Sequence, residues 1–202
     1  MKIYTDLTSP QCYLAQTAIC AHLEASGQPA EWHPVATPIY KPPPLGGAEE
    51  TVSERHKRVR AEYGQRNLLR YAEWQGLELR RLTADANNLD RTQAAAALLS
   101  ANASGVADAF LNRAFREYWG TDTSFAADQL NALLEEAGAS DPLRTYLDQA
   151  AAALESAREL GIFDAPAFVV EDELFIGQQH LPLIGRIQRE GLAAVIPPVK
   201  KS

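Results

Sequence analysis

Residues 6–14 read DLTSPQCYL, and this stretch predicts the turn around which the fold is built. The residues that lead into it, 2–7, alternate between polar and apolar, as a half-buried strand does. Thr8 or Ser9 can cap a following helix, and Pro10 suits the first turn of that helix. Ser9 and Cys12 then lie at a helix N-terminus, where free N–H groups and the helix dipole favour an anion.

Ser9 and Cys12 have the spacing of a C-x-x-C redox motif with serine in the first position. On its own, this spacing is more typical of an ordinary helix cap followed by a buried cysteine. A second stretch, residues 161–170, reads GIFDAPAFVV and adds information. Its Pro166 directly precedes an apolar strand, and such a proline is a candidate for a cis peptide bond.

Together, the two stretches resemble the DsbA-like branch of the thioredoxin superfamily, in particular 2-hydroxychromene-2-carboxylate isomerases and kappa-class glutathione transferases. The family's opening pattern, D-x-x-S-P-x-S-x-L, is matched by Asp6, Ser9, Pro10 and Leu14. Its closing pattern, G-V-F-G-V-P-T-F-V-V and then W/F-G-x-D-R, is similar to residues 161–180. Between them, the pattern Y…D-L-x-R-x-A…G is matched by Tyr63, Leu68, Arg70, Ala72 and Gly76, and residues 115–120 resemble F-R-A-x-W-x-E. The resemblance covers nearly the whole chain.

This resemblance implies an α/β architecture, a thioredoxin-like fold with a large all-helical insertion of the DsbA-like kind. Residues 1–40 and 161–202 would form a discontinuous thioredoxin-like domain, and residues 45–160 the helical insertion domain. Besides the strand at 2–7, hydrophobic periodicity and turn residues predict strands at 31–36, 167–170 and 173–176. They also predict helices from Pro10 to Ala25, at 53–62, at 65–75 and at 181–189. The apolar face of the first helix is predicted to include Ala18, Ala21 and Ala25.

Composition narrows the functional classes. The chain of 202 residues has a net charge of −7, which argues against a nucleic-acid-binding protein. It has no apolar run of eighteen residues and no signal-peptide pattern, so we expect no membrane span and a cytoplasmic location. Cys12 and Cys20 are eight residues apart on one predicted helix, about 12 Å, which is too far for a disulfide. The four histidines are scattered without ligand spacing, so no metal site is predicted.

The resemblance also implies a glutathione site. Ser9 would donate a hydrogen bond to the glutathione sulfur and hold it as a thiolate. The backbone of Ala165 and Pro166 would clamp the cysteinyl part of glutathione. Gln178 and Gln179 would face its γ-glutamyl end, where the family has an Asp-Arg pair and this chain has Gln179 and His180.

A small aromatic carboxylate is the substrate class that the resemblance implies, with a homodimer as the assembly. Lys41 is the candidate contact for the substrate carboxylate, although an exposed loop lysine is an equally good interpretation. Asn87 and Asn88 both match the family's N-S/T step loosely, and the sequence does not choose between them. The basic segment 55–60 is either a solvated helix face or a wall that attracts an anionic ligand.

Three functional hypotheses follow. The first is a glutathione-dependent isomerase that resembles 2-hydroxychromene-2-carboxylate isomerase and uses Ser9. The second is a thiol–disulfide oxidoreductase or glutathione transferase that uses Cys12, which is either a packed thiol or a partner in a mixed disulfide. The third is a thioredoxin-like protein without catalysis that binds a ligand or partner, and Gln179 and His180 favour it.

Overall fold

A computed structural model describes residues 1–47, 50–82, 89–121 and 125–196 of the chain. Its sheet has four strands in the order β2-β1-β3-β4. The strands are β1 (Lys2–Thr5), β2 (Glu31–Pro34), β3 (Ala167–Val170) and β4 (Glu173–Ile176). β1 pairs with β2 in parallel and with β3 antiparallel, and β3 and β4 form an antiparallel hairpin. The sheet therefore contains two strands from the N-terminal part of the chain and two from its C-terminal part, as the thioredoxin-like fold requires.

The hairpin strands have the predicted bounds, whereas β1 and β2 are shorter than predicted. β1 ends at Thr5 because the chain turns at Asp6, whose carbonyl accepts the N–H of Ser9 at 3.0 Å. β2 ends at Pro34, after which the N–H of Val35 makes one more bond to the Thr5 carbonyl at 3.1 Å. Both strands stop early because residues 6–9 and 35–37 fold toward each other.

Helix α1 (Pro10–Ser26) follows β1, as predicted, and Gly27 ends it with φ of 61°. The predicted apolar face is wrong in its second half: Ala18, Ala21 and Ala25 are exposed. The buried residues are concentrated near the N-terminus, namely Pro10, Cys12, Tyr13, Leu14, Ala15, Gln16 and Ile19. The first half of α1 is covered by the neighbouring elements, while the second half runs along the surface.

After an irregular segment that follows β2, the described part of the chain up to β3 is mainly helical. Its α-helices are α2 (Val52–Gln75), α3 (Arg91–Ala103), α4 (Ala107–Gly120), α5 (Ala127–Ala137) and α6 (Leu147–Glu159). The prediction of two helices at 53–62 and 65–75 is wrong, because α2 is continuous through Gly64. An interior glycine costs only about 1 kcal/mol in a helix, and α2 is closed at both ends by a Thr51–Glu54 capping box and by Gly76.

The helical segment packs against the sheet and the end of β1. α3 and α6 both contact β2, and α4 contacts α1. Trp119 of α4 is fully buried, and its Nε1–H donates to the Leu7 carbonyl at 3.1 Å. Arg81 is also fully buried and donates to the Tyr118 carbonyl, with its guanidinium 4.5 Å above the Tyr118 ring. The boundaries predicted for two domains stay a prediction.

The chain continues after β4 into α7 (Leu181–Glu190) and a short α8 (Leu192–Val195). α7 buries Leu181, Ile184 and Ile187 and packs against α1 and β3. Among the described residues, no helix combines the length and apolar character needed to cross a bilayer.

Candidate functional site

Ser9 is the N-cap of α1, as the sequence predicts. Its backbone is extended (φ −92°, ψ 118°), and its Oγ accepts the N–H of Cys12 at 3.3 Å. The Ser9 hydroxyl donates to Oε1 of the exposed Gln11 at 3.2 Å. The residue is only 2% exposed. The Ser9 hydroxyl therefore donates its proton to the exposed Gln11 side chain, which is free to change rotamer.

Asp6 holds the turn that carries Ser9. Its carboxylate is buried, and Oδ1 accepts the N–H and the hydroxyl of Thr8 at 2.8 and 2.7 Å. Oδ2 accepts the N–H and the hydroxyl of Thr37 at 2.8 Å each. Arg91, at the first position of α3, places Nη2 at 3.6 Å from Oδ2. This network fixes the Ser9 turn against the segment after β2 and against α3.

The sequence did not predict the structural role of Asp6, which matched only one position of the family's opening pattern. An aspartate two residues before a threonine is a local signal, because such side chains bond to the backbone two residues on. Nothing local indicates Thr37 or Arg91, which come from remote parts of the chain.

Cys12 lies inside the first turn of α1 and is 1% exposed. The N–H of Asp6 points at its Sγ at 3.5 Å. Burial raises the pKa of the Cys12 thiol to about 12, although bonds from the Asp6 backbone and from Ser9 oppose the shift. At neutral pH the side chain is therefore a protonated, shielded thiol.

Cys20 is half-buried two turns further along α1, and it also is a free cysteine. Its Sγ contacts Nε2 of Gln16 at 3.5 Å and Oδ1 of Asn112 at 3.6 Å. Burial is the main cause of a raised pKa of Cys20. Neither cysteine is therefore predisposed to form a thiolate.

The Ala165–Pro166 peptide bond is cis, as predicted. Tyr4 pairs with Ala167, so the antiparallel register of β1 and β3 continues with Pro166 beside Thr5. The cis-proline therefore lies at the end of β1 from which the Ser9 turn emerges. The Pro166 carbonyl accepts the N–H of Gly177 at 2.8 Å, and the N–H of Ala165 donates to Oδ1 of Asp164 at 2.8 Å.

Gln178, Gln179 and His180 form a 3-10 turn between β4 and α7. Gln179 is exposed, and its Nε2 donates to the Ile176 carbonyl at 3.0 Å. Gln178 lines a groove with Ala18 and His22, and Ala18 is about 13 Å along α1 from Ser9. The structure thus places Gln178 beside the middle of α1. Gln179 lies next to Gly177, the hydrogen-bond partner of Pro166.

No contact among the described residues joins the predicted substrate-binding residues to Ser9. Lys41 is exposed in the irregular segment after β2, and no described carboxylate pairs with its ammonium. Asn87 and Asn88 lie outside the residues that the structure describes. Among the described side chains, no group of three or more His, Cys, Asp or Glu is arranged to hold a metal ion.

A strand that leads into a capped helix, a parallel second strand, and a cis-proline at the start of an antiparallel third strand define the thioredoxin class of protein. The chain belongs to the DSBA-like thioredoxin domain family, whose profile matches residues 1–186. Comparison with curated proteins gives no significant match.

Solved structures with the same fold include several enzymes. A 2-hydroxychromene-2-carboxylate isomerase superposes with a TM-score of 0.68 at 19% identity, over 95% of each chain. A probable DsbA oxidoreductase from Streptomyces coelicolor gives 0.68 at 20% identity, over 100% of this chain and 92% of the other. The cytosolic disulfide reductase DsbM from Pseudomonas aeruginosa, solved with GSH, gives 0.57 at 20% identity, over 96% and 94%. These similarities bear on the fold alone.

Proposed function

We propose that the protein is a glutathione-dependent isomerase similar to 2-hydroxychromene-2-carboxylate isomerase. One observation carries the proposal: Ser9 caps α1 at the end of β1, where the register also brings cis-Pro166, and the only cysteine in that turn is buried. A hydroxyl at this position can donate to a thiolate but cannot form a disulfide. The site therefore favours chemistry on a bound thiol over thiol exchange by the protein.

The residues present fit glutathione at its cysteinyl end. The first turn of α1 offers its dipole and the Ser9 hydroxyl to a sulfur anion. The buried Ala165 and Pro166 offer backbone groups, one of which the Asp164 carboxylate now occupies. At the γ-glutamyl end, Gln179 is neutral, so a hydrogen bond to an ammonium loses its charge-assisted part, about 1 kcal/mol.

When bound, glutathione supplies a thiolate that adds reversibly to a conjugated carbonyl compound and so frees one carbon–carbon bond to rotate. The part of Ser9 is to turn its Oγ–H from Gln11 Oε1 toward the sulfur and to lower the proton affinity of that sulfur. Asp6 holds the turn through Thr8 and Thr37, so the backbone of Ser9 is already ordered and only its hydroxyl has to turn on binding.

A groove of about 730 Å³ with a mostly apolar lining supports the proposal of an aromatic substrate. It lies between the segment after β2, α6 and the residues before the cis-proline, and its walls include Val35, Pro38, Leu154, Ile162 and Phe163. Thr37, which binds Asp6, also lines it. We propose that an aromatic ring lies in this groove and that Lys41, three residues after Pro38, binds its carboxylate.

The oxidoreductase or transferase alternative needs a Cys12 thiolate, and the raised pKa of Cys12 opposes it. The non-catalytic alternative keeps the support of Gln179, which bonds to its own turn. We include in the proposal a homodimer that works in the cytoplasm. Sedimentation velocity checks the dimer, and a monomer at working concentration would contradict it.

Calorimetric titration with reduced glutathione tests the proposed function. The wild type is compared with Ser9→Ala and with a matched control, Ser156→Ala, an exposed serine on α6. We expect saturable binding that Ser9→Ala weakens and Ser156→Ala does not, and turnover of 2-hydroxychromene carboxylates that survives Cys12→Ala. Absence of binding at millimolar glutathione would sink the isomerase proposal and leave the non-catalytic alternative.

A further inference from the structure

Helix α2 is bound to the rest of the protein by one narrow side. It has 24 residues, about 36 Å, yet only Leu68 and Ala72 are buried. At about 100° per residue, these two side chains point in nearly the same direction. The helix packs against α1 on that side. The opposite side of α2 faces away from the body of the protein.

That opposite side carries a row of large apolar side chains. Val52, Val59, Tyr63 and Trp74 lie within about 60° of one another around the helix, and about 170° from the buried pair. Their exposed fractions are 69%, 48%, 59% and 79%. Val59 and Tyr63 are one turn apart, whereas Trp74 lies eleven residues after Tyr63, and clustered exposed apolar side chains are typical of interaction sites.

Arginines lie beside and within this row. Arg55, Arg60, Arg66 and Arg70 are exposed on the same side of α2, with Glu73 as the one carboxylate among them. Arg55 lies 3.7 Å from Glu50, whereas in the described ranges Arg60 and Arg70 form no ion pair. We call these four arginines and the four apolar residues the outer α2 face. The face is positive on a protein whose net charge is −7.

We propose that the outer α2 face binds an acidic amphipathic helix of a protein partner. The row is about 60° wide, the width of a coiled-coil seam, and the two other exposed apolar residues of α2, Leu69 and Tyr71, lie about 100° to either side of it. Arginines on both sides of a seam pair with glutamates at the flanking positions of a second helix. This interaction surface is independent of the function proposed for Ser9.

Other occupants fit the face less well. A bilayer surface would bury Arg70, which lies within the apolar row. Nucleic acid would be repelled by the acidic remainder of the chain. A second α2 packed antiparallel with Tyr63 at the two-fold axis would place Arg60 against Arg66 of the other copy, which like-charge repulsion disfavours.

The fluorescence of Trp74 gives a direct test. The chain has three tryptophans, and Trp32 and Trp119 are buried, so the environment of Trp74 dominates quenching by acrylamide. The probe is a synthetic helical peptide of the length of α2, with leucine at the seam, glutamate on both flanks, and no aromatic residue. We expect it to bind with a dissociation constant on the order of 10 μM, to shield Trp74, and to bind more weakly as salt is raised.

Charge reversal provides the decisive comparison. Arg60→Glu with Arg70→Glu should weaken peptide binding at least about tenfold, while the matched control, Arg144→Glu with Arg189→Glu on other exposed surfaces, should not. A peptide with lysine in place of glutamate should not bind the wild type. The proposal is overturned by equal binding to the reversed variant, or by no peptide binding at millimolar concentration. Shielding of Trp74 by phosphatidylserine vesicles, by duplex DNA or by self-association in place of the peptide would overturn it as well.

Discussion

The two halves of the candidate glutathione site are built differently. The Ser9 turn is buried, and four hydrogen bonds to the Asp6 carboxylate hold it. The Gln178–His180 turn is half-exposed, and the exposed Gln179 bonds back to the Ile176 carbonyl of its own turn. The Ser9 turn is held by buried groups, whereas the Gln178–His180 turn can change its side chains at little cost.

The difference between the two turns indicates which of them would set the thiol specificity of the proposed site. The buried network fixes the backbone of Ser9, so in the proposed site little ordering of the turn would be needed when a thiol binds. In the proposed site, the exposed turn would decide which thiol stays bound.

The largest effect is expected from Asp6→Ala. The change leaves the buried donors of Thr8 and Thr37 without an acceptor and Arg91 without its carboxylate. The free energy of unfolding should therefore fall by about 4 kcal/mol. Urea denaturation measures it. Asp148→Ala, an exposed aspartate at the start of α6, is the control and should cost less than about 1 kcal/mol. A loss below 1 kcal/mol for Asp6→Ala would contradict a locked Ser9 turn.

A second effect concerns pH. The pKa of Cys12 is raised from about 9 to about 12 by burial, so above pH 9 the unfolded chain releases this proton while the folded chain keeps it. The stability contributed by the neutral thiol is complete below pH 9 and is lost as the pH rises toward 12. Relative to Cys12→Ala, the wild type should lose about 2 kcal/mol by pH 10.5. Parallel urea curves at pH 7 to 10.5 test this. Equal pH dependence in both proteins would show that the thiol is not buried.

Ser9→Ala should destabilise the protein by about 1 kcal/mol, because α1 loses its N-cap. Ser9→Gly should cost only a few tenths of a kcal/mol. Thermal unfolding of the two variants separates the cap from the rest of the turn. A decrease of several kcal/mol in the free energy of unfolding of both variants would show that Ser9 is part of the Asp6 network and acts as more than a helix cap.

The smallest effect on the fold and the clearest gain in binding are expected from Gln179→Asp. A carboxylate restores a charge-assisted bond to the glutathione ammonium, so affinity should rise up to about tenfold, with stability changed by less than about 0.5 kcal/mol. Calorimetric titration measures the affinity, and Gln149→Glu, an exposed change in α6 that adds the same charge, is the control for net charge. Unchanged affinity would indicate that this turn does not face the γ-glutamyl end.

Local chemistry explains which parts of this site the sequence predicts. The cap at Ser9, the proline at the first turn and the cis bond before Pro166 each follow from a few adjacent residues. The bonds of Asp6 to Thr37 and its approach by Arg91 depend on three distant segments meeting, and no local pattern specifies that. The exposure of Ala18 and Ala21 likewise depends on where the neighbouring elements end. The break predicted at Gly64 is absent because the free-energy cost of one interior glycine is small in a long helix that is capped at both ends.

The pairing of β1 with β3 sets the order in which this site can be made. Tyr4 meets Ala167 across about 160 residues, so the ribosome releases all the intervening helices before the strand that carries Pro166 exists. Until then β1 has an open edge where β3 will pair, and the Ser9 turn lacks its cis-proline neighbour. Long-range pairing of this kind is slow, and its unpaired edges favour aggregation. Trp119 is synthesised before β3, so its hydrogen bond to the Leu7 carbonyl can form before that pairing.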